Sequence, residues 1–249
     1  MRKSLVAGNW KMYKTPKESI EFVKGLKDSV KVYSDRDILI CPPFTSLVPV
    51  SDILKGTPIK LGAQNVFFEE EGAFTGEIST RMLKDTGVSY IICGHSERRN
   101  IFMETDEIVN KKVKKIISSG ITAILCVGEK LEEREGGNTF NIIKRQIEKC
   151  LEGIKDTAGV VIAYEPVWAI GTGKNATPEQ AEEVHFFIRG LIEKLFGKDF
   201  AEKILILYGG SVKPENIDSL MAQRDIDGVL IGGASLKLES FLRIIDYKK

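Results

Sequence analysis

A short run of apolar, mostly β-branched residues, a turn, and then a longer stretch with apolar residues at helical spacing form a unit that recurs about eight times across the 249-residue sequence. The runs begin near Ser4, Asp37, Ile59, Tyr90, Ile121, Val160, Ile204 and Asp227. They are nearly continuous in apolarity rather than alternating, so they read as strands covered on both faces, the mark of a parallel sheet. Two of the intervening helices announce their starts: Thr15-Pro16-Lys17-Glu18 and Thr177-Pro178-Glu179-Gln180 each combine a capping hydroxyl, a proline in the first turn and a Glu or Gln three residues after the cap. The second of these should lay Ala181, Val184, Ile188, Leu191, Ile192 and Leu195 on the sheet, with His185 beside that face in a packing or surface role. Eight such units can close into a barrel or open into a doubly wound sheet, and periodicity alone does not separate the two. No linker divides the chain, so residues 1–249 are expected to form one domain, a length usual for a barrel. In either fold, functional groups belong at the carboxyl ends of the strands.

With 36 basic and 35 acidic residues the net charge is +1, which gives no surface suited to a nucleic-acid partner. No apolar run reaches the roughly 20 residues needed to cross a bilayer, and the start has no secretory leader, so the expectation is a cytoplasmic protein without a membrane partner. Cys41, Cys93, Cys126 and Cys150 show neither paired spacing nor nearby histidines. They read as reduced, buried thiols, with no metal and no cofactor expected.

Each strand end admits both a chemical role and a plainer one. Asn9 and Lys11 follow the first run, where the ammonium could hold an anion or simply face solvent. The fourth run ends in Cys93-Gly94-His95-Ser96-Glu97-Arg98. If a helix starts at Ser96, its positive end disfavours an imidazolium, leaving His95 a neutral donor; a buried, satisfied histidine is the alternative. Glu97 could equally be a first-turn carboxylate. The sixth run leads straight into Glu165-Pro166, a carboxylate either set among apolar walls as a general base or solvated on the rim. The segment Pro166, Val167, Trp168, Ala169, Ile170, Gly171, Thr172, Gly173, Lys174, Asn175, Ala176 looks like a lid; its G-x-G-x-x-A stretch lies too far past its strand to bind a dinucleotide. Runs seven and eight end in Gly209-Gly210-Ser211 and Gly232-Gly233-Ala234-Ser235, tight turns or an anion cradle, each expected to lead into a helix N-terminus.

Taken together, Gly8-Asn9-Trp10-Lys11, Cys93 to Arg99, Tyr164 to Gly173 and Tyr208 to Val212 closely resemble the triosephosphate isomerase family, in order and spacing along essentially the whole chain. The resemblance implies a single (β/α)₈ TIM barrel of parallel strands and a place in glycolysis and gluconeogenesis. It implies that Asn9 and Lys11 contact a triose phosphate, His95 polarises its carbonyl, Glu165 moves a proton between adjacent carbons, and Glu97 supports Lys11. Gly171, Ser211, Gly232 and Gly233 would bind phosphate. A neutral histidine and a water-excluding loop are this family's known pattern. The long connection Asn65 to Gly76 carries Phe67, Phe68 and Phe74 and is expected to be covered by a partner. The resemblance makes it a homodimer loop, with Thr75 reaching the other subunit's Asn9 and Lys11 region. Where the family usually has Phe-Gly-Glu, this chain has Phe102-Met103-Glu104, and altered packing beneath that loop is expected. Another phosphate-binding barrel isomerase or lyase, and a non-catalytic sugar-phosphate binder, stand as alternatives.

Overall fold

The computed structural model describes residues 2–156, 158–169 and 176–248. Eight parallel strands close into a barrel in sequence order. They are β1 (Ser4–Asn9), β2 (Arg36–Cys41), β3 (Ile59–Ala63), β4 (Tyr90–Cys93), β5 (Thr122–Val127), β6 (Val160–Tyr164), β7 (Leu205–Tyr208) and β8 (Gly228–Ile231). Each begins within one residue of its expected position, and β1 pairs with both β2 and β8, which closes the ring.

Alternate residues on each strand face opposite ways, and this sorts the core into two layers. Leu5, Ala7, Leu39, Cys41, Ile92, Ile124, Cys126, Val161, Ala163, Leu207 and Leu230 pack with one another inside the barrel. Their neighbours, such as Val6, Ile40, Ile91, Leu125 and Ile162, face outward and join the buried faces of the surrounding helices. The interior is therefore packed rather than open, and a ligand can enter only at its ends.

Helix α1 (Pro16–Ser29) starts with the expected capping box, in which Thr15 accepts the Glu18 N–H and the Glu18 carboxylate accepts the Thr15 N–H. Helices α2 (Leu47–Leu54) and α3 (Thr80–Asp85) follow. Beyond β4 come α4 (Ser96–Asn100) and α5 (Asp106–Ser118), then α6 (Leu131–Glu135) and α7 (Thr139–Cys150) after β5. Helix α8 (Pro178–Phe196) carries the second capping box, between Thr177 and Gln180. It buries Ala181, Val184, Ile188, Leu191 and Ile192 as expected, but Leu195 at its end is exposed, and fully buried His185 completes the face instead. The ring ends with α9 (Lys198–Lys203), α10 (Ile217–Met221) and α11 (Leu238–Ile245).

One expectation fails for a backbone reason. Met103 does not repack the layer beneath its loop, because its side chain is 73% exposed. Its φ of 59° instead places it in the left-handed region, where glycine is free and a side chain costs about 1 kcal/mol. The change at this position is a matter of backbone strain, not of packing. After Gly209-Gly210-Ser211 the following helix, α10, begins at Ile217. After β8, by contrast, a 3₁₀ turn over Gly233–Leu236 follows at once.

Candidate active site

The carboxyl ends of β1, β4, β6, β7 and β8 converge on one cleft of about 400 Å³, lined among others by Asn9, Lys11, His95, Glu165, Ser211, Gly232 and Gly233. Residues far apart in sequence meet here because every strand of a parallel barrel ends at the same mouth.

At the end of β1, buried Asn9 turns its side chain back, and its Oδ1 accepts the Lys11 N–H at 3.1 Å. This fixes Lys11 in a left-handed conformation, φ 53°, that a side chain rarely adopts. Gln64, just past β3, holds the other side of the same residue: its amide donates to the Lys11 carbonyl at 2.8 Å and to the Cys41 carbonyl at 2.9 Å. The Lys11 ammonium then lies 2.5 Å from Glu97 Oε1. Sequence reasoning missed Gln64, one residue past β3, because its backbone partners lie on or beyond other strands and nothing local in the sequence marks them. Gly232 brings β8 against this lysine, for a Cβ there would sit 3.3 Å from Lys11 Cε.

His95 is the N-cap of α4, and its Nδ1 accepts the Glu97 N–H at 3.2 Å. An acceptor nitrogen carries no hydrogen, so the ring proton sits on Nε2, which lies 3.0 Å from Glu165 Oε1. The other carboxylate oxygen of Glu165 accepts the Ser96 N–H at 2.9 Å, and the side chain is almost wholly buried rather than solvated on the rim. Burial disfavours both charges, raising an acid and lowering a base. In contact, the two groups reverse this for each other. Despite desolvation, the His95 contact and the Ser96 N–H hold Glu165 below its ordinary value, and the carboxylate holds His95 above its own.

Of the segment expected to form a lid, Pro166 to Ala169 and buried Ala176, just before α8, are described. Ile170, Gly171, Thr172, Gly173, Lys174 and Asn175, with the phosphate contact expected of Gly171, lie outside the described residues. Fully buried Glu129 anchors the 3₁₀ turn over Val167–Ala169: it accepts from Trp168 Nε1 at 2.8 Å and from Tyr164 Oη at 3.1 Å, with Arg134 at 3.3 Å.

Elsewhere, His185 stays in the core as expected, its Nδ1 3.2 Å from the Asp225 carbonyl and its pKa lowered to about 3 by burial. All four cysteines are buried and unbridged. Desolvation pushes the Cys126 thiol well above its ordinary value and Cys150 up to about 12. Phe67 and Phe68 are partly buried by stacking, with centroids 4.2 Å apart, and Phe67 also meets Phe74 at 4.6 Å; Phe74 and Thr75 remain exposed. Among the described residues no helix is long and apolar enough to cross a membrane.

The model of the family described as triosephosphate isomerase matches residues 4–248. Among curated relatives, the triosephosphate isomerase of Carboxydothermus hydrogenoformans is 58% identical over 247 residues, 98% of both chains. That of Endomicrobium trichonymphae is 56% identical over the full length of both. That of Caldanaerobacter subterraneus subsp. tengcongensis is 54% identical, covering 99% of this chain and 100% of its own.

Proposed function

This chain belongs to the triosephosphate isomerase family, and we propose how its residues carry the family's reaction, the interconversion of dihydroxyacetone phosphate and D-glyceraldehyde 3-phosphate. Of the three readings the sequence left open, it is the isomerase that the full-length relatives support. The observation that carries the assignment of roles is the contact of His95 Nε2 with Glu165 Oε1 at 3.0 Å, at the mouth of the barrel and beside Lys11.

A substrate must part these two groups to react. Once a triose stands between them, the mutual contact no longer offsets burial, so the Glu165 carboxylate becomes a stronger base and the imidazole is held neutral. Glu165 takes a proton from the carbon next to the carbonyl. Its C–H electron pair forms the carbon–carbon double bond of an enediolate, and the carbonyl π pair moves onto oxygen. His95 meets that developing charge with its Nε2–H, while Lys11, with Asn9 beside it, supplies positive charge. Return of the proton from Glu165 to the adjacent carbon, with the hydroxyl proton passing from one enediolate oxygen to the other by way of His95 Nε2, completes the isomerisation without net loss or gain of protons or electrons. Ser211, Gly232 and Gly233 hold the phosphate by hydroxyl and backbone N–H donors, and Gly171 joins them from the lid. Glu97 orients the Lys11 ammonium. Closure of the lid from Pro166 to Ala176 excludes water, which protects the enediolate from expelling its phosphate as methylglyoxal.

The working form is a homodimer in the reducing cytoplasm. Met12, Tyr13, Phe74, Met82, Ile101, Phe102 and Met103 are exposed on the connections that follow β1, β3 and β4, an apolar surface that a second copy would cover. In that arrangement exposed Thr75 reaches the partner's loop around Asn9 and Lys11. Sedimentation at dilute concentration tests this, since a fully active monomer would refute it. The roles themselves are tested by an assay with glyceraldehyde 3-phosphate coupled to consumption of dihydroxyacetone phosphate. Deleting Ile170 to Lys174 with a short linker should lower the rate and raise the methylglyoxal fraction.

A further inference from the structure

We infer that Gln146, on α7 and outside the cleft, is a positioning residue for Glu165. This rests on the assignment of Glu165 as the base.

In a parallel strand, successive residues turn their backbone groups to alternate neighbours. On β5 and its continuation, Ala123, Val127 and Glu129 face β6: Ala123 N–H donates to the Gly159 carbonyl, Glu165 N–H donates to the Val127 carbonyl at 2.8 Å, and Val167 N–H donates to the Glu129 carbonyl at 3.1 Å. Thr122, Cys126 and Gly128 face β4. That strand stops at Cys93, opposite Leu125, so Gly128 projects beyond its partner. Gly128 is partly buried, and its backbone N–H and C=O would lose their ladder partners there.

Gln146 fills the gap. Its Oε1 accepts the Gly128 N–H at 2.8 Å, and its Nε2 donates to the Gly128 carbonyl at 3.1 Å. A primary amide is the side chain that reproduces the donor and acceptor of a peptide unit, and Gln146 is 5% exposed, so it serves as a buried stand-in for the missing strand.

What this clamp holds is in direct contact with the base. A Cβ added to Gly128 would lie 1.8 Å from the Glu165 carbonyl oxygen, so the two backbones touch with no room between them. The next residue, Glu129, anchors Tyr164 and Trp168 on either side of Glu165. Freeing Gly128 therefore moves the frame on which the Glu165 carboxylate is aimed. The phosphate cradle on β7 and β8 is left alone.

The test is a double-mutant cycle with Gln146→Met, which keeps length and loses both hydrogen bonds, and Glu165→Asp. Gln146→Met alone should lower kcat about tenfold, since small misplacements of a catalytic group carry costs of this order, with KM changed less than about twofold. In the Glu165→Asp background, where the carboxylate is already misplaced, the same change should cost less than about twofold. An equal loss in both backgrounds, or an unchanged kcat with lowered thermal stability, overturns the inference. An intact kcat in Glu165→Asp alone overturns the assignment of the base and the inference with it. Should Gln146→Met fail to fold, hydrogen exchange in the unaltered enzyme decides: the Gly128 amide should be protected like the ladder amides of Ala123 and Glu165, and rapid exchange there contradicts the clamp.

Discussion

At the amino-terminal mouth of the barrel, Asp225 and Asp227 are held by Arg189 and Arg2, and Asp227 also accepts the Ile206 N–H at 2.9 Å. At the carboxyl-terminal mouth, Glu165, His95 and Lys11 line an open cleft, with Glu165 facing His95 and Glu97 holding Lys11 from outside it. Both ends carry buried charge, yet they are built differently. The lower charges are enclosed by partners and backbone donors that nothing needs to displace. The upper ones include a strained Lys11 and a carboxylate and imidazole that perturb each other across the cleft. A barrel can tolerate strain at one end because the other end and the packed interior fix its shape. Stability should therefore be sensitive to the lower mouth and turnover to the upper.

The largest expected effect is at the lower mouth. Asp227→Ala leaves Arg189 short of a buried partner and should cost about 4 kcal/mol of unfolding free energy by denaturant titration, with kcat of the folded enzyme within about twofold. A loss of turnover without loss of stability would break the comparison.

A pH experiment sharpens the same point through His185, which is packed against the Asp225 carbonyl. Its folded pKa, lowered to about 3, lies below the ordinary histidine value of 6.5. Between these values the unfolded chain takes up a proton that the folded chain refuses, so stability falls as pH falls from 6.5 toward 3. At about 1.4 kcal/mol per pH unit, this group should cost about 3 kcal/mol by pH 4. Parallel stability curves for the native enzyme and His185→Gln over that range would contradict it.

At the upper mouth, His95→Gln should lower kcat about 100-fold, within the usual range for a positioned acid or base, and leave stability nearly unchanged. An unaltered rate would remove His95 from the mechanism. The smallest effect concerns strain away from the cleft. Met103→Gly should relieve the left-handed backbone and raise stability by up to about 1 kcal/mol, a few degrees in Tm, with kcat unaffected.

Much of this architecture was legible because it depends on local pattern. The eight apolar runs gave their own boundaries, and Thr15 with Glu18 and Thr177 with Gln180 marked helix starts by capping chemistry that acts over three residues. His95 and Glu165 stood out because polar groups interrupt apolar strands at the same end. What stayed hidden acts across the fold. Gln64 and Gln146 look like ordinary amides until the strands place backbone groups beside them. Asp227 meets Arg189 across 38 residues and Arg2 across 225, separations that no periodicity reveals. Leu195 fits its helical face by spacing but lies at the end of α8, where the sheet no longer covers it. Met103 stands out in the sequence as a substitution, but its consequence does not, because side-chain size is visible in a sequence and φ is not.

The central claim is that Glu165 moves the proton from a carboxylate held at one fixed place in the upper mouth. Its most direct measurement is kcat of Glu165→Asp with glyceraldehyde 3-phosphate, taken together with its unfolding free energy. Shortening the side chain by one carbon–carbon bond keeps the charge and withdraws the carboxylate by about 1 Å, so the account predicts a loss of roughly 100-fold in kcat with stability within about 1 kcal/mol of the native enzyme. A variant that turns over at near-normal rate would contradict it and assign the base elsewhere.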